Sequence, residues 1–138
     1  MTLDFYKNKR IFITGHTGFK GTWLCHILLN TGATVTGYAL NPPTNPSLYN
    51  QTFLENRINS TISDIRNREC LFQSMNEAKP DIVFHLASQP IVRRSYLEPT
   101  LTYEINVMGT VNILEATRSV SSVKSFVNIT TDKVYENN

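Results

Sequence analysis

Short apolar runs alternate along this chain with longer stretches in which apolar residues return every three or four positions. Ile11 to Thr14 is β-branched and aromatic and predicts a short buried strand; Trp23, Leu24, Ile27 and Leu28 then recur at helical spacing. Asn30-Thr31-Gly32 reads as a helix stop, with glycine near the left-handed position. Ala33 to Leu40 predicts a second strand. Asn41 to Pro46 holds three prolines and must be a loop, because proline cannot donate to a ladder. Ser47 to Arg57 predicts a short helix, and Asn59 to Ser63 a brief third strand. Asn67 caps a predicted helix running through Ala78, with Leu71, Phe72 and Met75 on one face. Ile82 to Leu86 is a fourth strand. Pro99 suits a helix start, Leu101 to Arg118 continues that helix, and Ser125 to Thr130 is a fifth strand.

Strands alternating with helices imply right-handed crossovers and a parallel sheet covered on both faces. The fold class expected is α/β, a doubly wound parallel sheet in the order 3-2-1-4-5, with a ligand across the C-terminal strand ends. The unusual polar sequence falls at those ends: Gly15 to Gly21, Asp64, Ala87-Ser88-Gln89 and Thr130-Thr131-Asp132-Lys133.

The first of these carries chemistry. Glycines at 15, 18 and 21 stand between a strand and a helix, the context in which a glycine fingerprint has meaning. Gly15 makes the turn out of the strand, Gly18 lets backbone approach a pyrophosphate, and Gly21 lets the helix lie close. The helix start then turns unpaired N–H groups toward phosphate. The spacing G-x-x-G-x-x-G differs from the simplest dinucleotide fingerprint, and an ordinary βα turn is the alternative. A P-loop is excluded: it ends Gly-Lys-Thr, whereas here the order is Lys20-Gly21-Thr22.

Composition narrows the reading further. The 138 residues suffice for one core, and 41% hydrophobic with 17% charged residues describe a soluble globular chain. A net charge of +2 is too small and dispersed to argue for nucleic acid or an anionic membrane. The apolar runs fall short of a membrane span, and Met1-Thr2-Leu3-Asp4 is no signal peptide. Cys25 and Cys70 are unpatterned and read as buried free thiols of a cytoplasmic protein. His16, His26 and His85 show no ligand spacing, so no metal is assigned. Between Gly21 and Leu54 there is no charged residue of either sign. Neutral groups must then hold an adenosine ribose, and Asn41, Thr44 and Tyr38 are candidates by position. No cation is there to balance a 2′-phosphate, which favours NAD over NADP.

These motifs occur in a familiar order. Thr14-Gly15-His16-Thr17-Gly18-Phe19-Lys20-Gly21, Asp64-Ile65-Arg66, Phe84-His85-Leu86-Ala87-Ser88-Gln89, Asn106-Val107-Met108-Gly109-Thr110 and Thr130-Thr131-Asp132-Lys133-Val134-Tyr135 together resemble the extended short-chain dehydrogenase/reductase family. Within it, the Phe19-Lys20-Gly21 loop, Asn41-Pro42-Pro43-Thr44 and Thr131-Asp132-Lys133-Val134-Tyr135-Glu136-Asn137 most resemble dehydratases of nucleotide sugars, those acting on CDP-glucose above all. The likeness covers nearly the whole chain but only the front part of such an enzyme. Residues 1–138 are therefore expected to be an incomplete NAD-binding Rossmann domain whose substrate domain is absent. The family's Tyr-x-x-x-Lys pair does not occur in this sequence.

The resemblance implies hydride removal from sugar C4, elimination of water across C5–C6 and hydride return to C6. It implies that Thr131 hydrogen-bonds the C4 oxygen and that Asp132 protonates the departing C6 hydroxyl. Lys133 stands where related dehydratases carry a glutamate base, which leaves the C5 base open. It places Gly15, Thr17, Gly18, Phe19, Lys20, Gly21, Asn41, Leu86, Ala87, Gln89, Asn106 and Thr130 along the cofactor, with Asp64 on the adenine amino group and Ile65 near the ring. It also implies a homodimer in the full-length enzyme. A related epimerase and a non-catalytic NAD-binding module remain as alternatives.

Overall fold

A computed structural model describes residues 3–131 and 136 of the chain. Among the described residues, five strands form one sheet: β1 (Arg10–Thr14), β2 (Thr34–Ala39), β3 (Asn59–Ile62), β4 (Ile82–His85) and β5 (Ser125–Asn128). All neighbours are parallel, in the order β3-β2-β1-β4-β5. This is the doubly wound order expected from the alternation of periods.

β1 lies at the centre, and Ile11, Phe12 and Ile13 are each at most 1% exposed. Side chains alternate across a sheet, so the same strand feeds two cores. Ile11 and Ile13 pack with Cys25, Leu28 and Val35 under helix α1 (Phe19–Asn30) and the short α2 (Leu48–Gln51). Phe12 packs on the other face with Tyr38, Leu71, Met75, Val83, Ile113 and Ala116, under α3 (Arg68–Ala78) and α6 (Gly109–Ser119). Each fully buried side chain of this size contributes roughly 1.5–3 kcal/mol.

Local signals read from the sequence hold. The Asn67 side chain accepts from the Cys70 N–H at 3.2 Å and caps α3, and Gly32 takes φ +81° after α1. At the outer end of the sheet, Asp81 receives both the backbone N–H and the guanidinium of Arg10, joining the starts of β1 and β4.

Three expectations need correction. The inward stripe of α1 is Gly21, Thr22, Cys25 and Leu28, whereas Trp23 is 51% and Ile27 45% exposed. The rotation follows from a backbone contact: a β-carbon on Gly21 would lie 2.1 Å from the Gly15 carbonyl oxygen, so this residue must face the loop. The helix expected over residues 101–118 is interrupted. α5 (Pro99–Tyr103) passes into a π turn (Glu104–Met108) before α6, and a further short helix, α4 (Val92–Leu97), precedes it. Finally, Cys70 is half-buried rather than buried; Cys25 is buried, both thiols are free, and burial pushes the Cys25 thiol up to about 12. No helix among the described residues is long and apolar enough to cross a membrane.

Candidate functional site

Register brings the strand ends into line. Thr14 lies opposite both Tyr38 and His85, Tyr38 opposite Thr61, and His85 opposite Asn128. Gly15, Asn41, Asp64, Leu86 and Thr130 therefore all leave the sheet at one edge. The crevice between the ends of β1 and β4 is the switch point, because the chain leaves these two central strands toward opposite sides.

The three glycines serve three different needs. Gly15 takes φ +78°, and a β-carbon there would meet the Ala87 nitrogen and the Leu86 carbonyl carbon at 2.9 Å. Its N–H donates to the Tyr38 carbonyl at 2.9 Å. Gly21 is required by the contact with the Gly15 carbonyl. Gly18 is different. It caps α1 with φ −76° and ψ 165°, an ordinary extended conformation, and a β-carbon there would find only the Gly15 carbonyl oxygen, at 3.4 Å. No side chain caps the helix. The protein has no steric need for glycine at 18, and the first N–H groups of α1, as at any helix start, have no partner within the helix. A diphosphate fits this mouth, since amide donors and the positive helix end both favour an anion.

The loop is held from below. The Thr17 hydroxyl donates to the Leu40 carbonyl at 2.8 Å, and the Thr22 hydroxyl to the His16 carbonyl at 3.0 Å. His16 is buried over Gly37, with Nε2 2.7 Å from the Ser60 hydroxyl, which also accepts from Tyr49. Burial, partly offset by the neighbouring Tyr38 carbonyl, pushes its pKa down to about 4. His16 is thus a neutral wedge between the loop and β3. Phe19 and Lys20 are exposed on the first turn of α1, and Asn41 is exposed just past β2.

Tyr38 is not a ribose contact. It is fully buried against Phe12, and its hydroxyl donates to the Asp64 carbonyl at 2.9 Å, which ties β2 to the segment after β3. Thr44, exposed, spends its hydroxyl on the Pro46 carbonyl. Asp64 sits at the strand edge with Ile65 buried beside it. Both Asp64 oxygens are engaged by Arg66, whose guanidinium holds this carboxyl below its ordinary range. A depression of about 540 Å³ lies alongside, lined by Asp64, Arg66, Asn67, Arg68, Glu104, Met108 and Asn112. A smaller one of about 360 Å³ lies at the far end of α1, around Ile27 and Thr31, away from the strand edge.

Across the crevice runs a network that the sequence does not reveal. The Thr14 hydroxyl accepts from the Leu86 and Ala87 N–H groups, each at 3.1 Å, so its own proton goes to His85 Nδ1 at 2.6 Å. His85 then donates from Nε2 to the Thr110 hydroxyl at 3.2 Å, and Thr110 donates to the Asn106 carbonyl at 2.7 Å. Burial pushes His85 down to about 4, which keeps the ring neutral, as this chain of donors requires. Asn106, in the π turn, exchanges two hydrogen bonds with the Gln89 backbone, at 2.7 and 3.1 Å. The Gln89 side chain is buried and spent on Ile91 and Thr102. Asn106 and Gln89 therefore shape the loop after β4 through protein contacts. Only the register, which sets Thr14 beside His85, makes this network visible.

Leu86 and Ala87 are half-buried along the crevice, and Thr130 and Thr131 are exposed past β5 at the same edge. Asp132 and Lys133 lie outside the described residues. Among the described residues, no cluster of three His, Cys, Asp or Glu side chains gathers to hold a metal ion.

The chain is 53% identical to the CDP-glucose 4,6-dehydratase of Salmonella typhimurium over 134 residues, which are 97% of this chain and 37% of that protein. It is 33% identical to the CDP-paratose 2-epimerase of Salmonella typhi, over 91% of this chain and 38% of that protein. Among solved structures, a UDP-glucose-4-epimerase from Stenotrophomonas maltophila with bound NAD superposes with a TM-score of 0.81 at 23% identity, covering 95% of this chain and 39% of that one; this likeness speaks to the fold. MoeE5 in complex with UDP-glucose and NAD superposes with a TM-score of 0.74 at 25% identity, covering 93% of this chain and 38% of that one. The chain thus spans under two-fifths of the length of the curated relatives named here. The family model described as GDP-mannose 4,6 dehydratase matches residues 12–137. With glycine mouth, strand order and sequence in agreement, the chain belongs to the GDP-mannose 4,6-dehydratase family of nucleotide-sugar enzymes.

Proposed function

We propose that this chain is the NAD-binding part of a nucleotide-sugar 4,6-dehydratase that converts CDP-glucose to the 4-keto-6-deoxy sugar in the cytoplasm. The observation that carries the reading is Gly18: the protein leaves open, at an uncapped helix end, the space that a side chain there would fill. The 53% identity to a CDP-glucose 4,6-dehydratase supports the choice of substrate.

Bound NAD supplies the hydride acceptor for sugar C4 and the hydride that returns at C6. The chain's own residues do the rest of what this part contributes. The N–H groups at the start of α1 bind the diphosphate, with Gly15 and Gly21 fixing their direction. Asp64 accepts from the adenine amino group, and Ile65 packs near the ring. The Thr14–His85–Thr110 network sets the crevice wall formed by Leu86 and Ala87. Thr131 holds the C4 oxygen and Asp132 delivers a proton to the leaving C6 hydroxyl, which requires a carboxyl raised by an enclosed site. Lys133 either removes the C5 proton or stabilises the charge that develops there.

No Tyr-x-x-x-Lys pair occurs in these 138 residues, and this segment by itself is expected to bind cofactor without turning over substrate. Tyr103, Val107, Val111 and Leu114 are exposed along one face of α5, the π turn and α6, which supports a homodimer of the full-length enzyme through that face. An epimerase of the same family is the second reading, favoured by the 33% identity to CDP-paratose 2-epimerase. Calorimetric titration with NAD and NADP tests the cofactor: NAD binding is expected, and tighter NADP binding overturns the reading. Product analysis with CDP-glucose, on a full-length protein containing this segment, separates a 4-keto-6-deoxy product from an epimer.

A further inference from the structure

The segment after β3 carries an arrangement that cofactor binding by itself does not explain. Arg66 is fastened at four points. Its backbone N–H and Nε donate to Asp64 Oδ1 at 2.9 and 3.0 Å, Nη2 donates to Asp64 Oδ2 at 2.8 Å, and Nη1 donates to Glu104 Oε2 at 2.8 Å. Glu104 opens the π turn, on the element that also carries Asn106. The backbone beneath is fixed too: Tyr38 donates to the Asp64 carbonyl, Asn112 donates to the Ile65 carbonyl at 3.1 Å, and Ile65 closes on Gly109. Nothing in the fold alone demands this, because exposed ion pairs contribute little to stability.

An ionised carboxylate offers about four acceptor positions. Arg66 takes two on Oδ1 and one on Oδ2. One remains, on Oδ2, at the margin of the depression that Asp64, Met108 and Asn112 help to line. Arg68 also lines the depression and balances the extra negative charge of the Asp64–Arg66–Glu104 trio, so the free position is selective by its own chemistry: a carboxylate lone pair takes an N–H donor and not a phosphate oxygen. We propose that Arg66 is a positioning residue: anchored by Glu104, it holds the Asp64 carboxylate with a single acceptor position turned toward the amino group of a bound purine. The inference rests on the proposed NAD reading and deepens it.

The test is a double-mutant cycle read by calorimetry with NAD, AMP and nicotinamide mononucleotide. Arg66→Gln is expected to weaken NAD and AMP about tenfold, the loss of one well-aimed hydrogen bond to a charged group, and to leave nicotinamide mononucleotide unchanged. Arg66→Lys, which lacks the planar fork, is expected to recover little of it. In an Asp64→Asn background, Arg66→Gln is expected to add less than about twofold, since residues acting through one another are not additive. Equal losses in both backgrounds, or an Arg66→Gln protein that binds NAD like the parent, overturn the proposal while the NAD reading stands. A parent chain that binds no NAD overturns both. If Arg66→Gln does not fold, Glu104→Gln, which leaves the Asp64 pair in place, is expected to weaken AMP measurably and nicotinamide mononucleotide not at all; unchanged AMP binding overturns the proposal.

Discussion

Gly18→Ala separates the needs of the fold from those of the ligand. Its φ of −76° and ψ of 165° suit any L residue, and the added methyl would sit 3.4 Å from the Gly15 carbonyl oxygen, a contact the loop absorbs with little movement. Two small terms oppose each other. Alanine restricts the unfolded chain, which stabilises by about 0.4–1 kcal/mol. It is also a poorer N-cap than glycine, which costs about as much. Stability should therefore stay within about 1 kcal/mol of the parent, a melting shift of roughly 3–5 °C at most for this length. Binding should not survive as well. A methyl at the mouth holds a diphosphate away from the helix N–H groups, and losing one hydrogen bond to a charged group costs about 1.5–3 kcal/mol. That corresponds to an affinity for NAD lower by about 10- to 150-fold. Thermal unfolding by circular dichroism and NAD titration by calorimetry read the two quantities independently. NAD affinity equal to the parent's would show that the diphosphate does not sit at this mouth. A stability loss above about 2 kcal/mol would show that the protein itself needs the space, contrary to the clearance at 18.

Gly21→Ala should behave in the opposite way: its β-carbon would lie 2.1 Å from backbone, so unfolding by urea should show a loss of about 1–3 kcal/mol or more despite alanine's better helix propensity. Thr14→Val removes the acceptor for the Ala87 N–H and the donor to His85, and should cost about 1–3 kcal/mol, whereas Thr14→Ser keeps the hydroxyl and most of the stability; equal losses would refute the network's role. His16 and His85 are held near 4 in the folded chain against 6.5 unfolded. The unfolded chain then binds more protons between these values, so stability is full above 6.5 and falls as pH drops toward 4, by up to roughly 3 kcal/mol per histidine. Urea midpoints measured at pH 7, 5.5 and 4.5 check this, and a flat series would refute the buried neutral state. Asp64 and Asp81, both held below the ordinary carboxylate range, add their losses only at still lower pH.

Much of the architecture is legible in the sequence because it is written in local terms. The strand runs, the Asn67 cap and the Gly32 stop each depend on residues within a few positions of one another. So does the glycine fingerprint, since a strand, a turn and a helix start are contiguous. The alternation of periods then leaves few parallel topologies, and the strand order follows from the handedness of crossovers. The helix from Pro99 was legible in extent but not in its interruption, because a π turn inserts where Asn106 must meet the loop after β4, a demand made from elsewhere in the chain.

What the sequence alone determined is therefore the order of elements, the glycine mouth and the family. What only the tertiary structure decided is which side of each element faces in and which polar groups meet. The inward face of α1 was set by one backbone contact between Gly21 and Gly15, against the pull of Trp23 and Ile27. Tyr38, placed by position beside a ribose, went instead into the core. Thr14 and His85 are 71 residues apart, and Arg66 and Glu104 are 38. Such pairs carry no periodicity, because their meeting depends on strand register and helix rotation, which arise only when the two faces of the sheet are packed together.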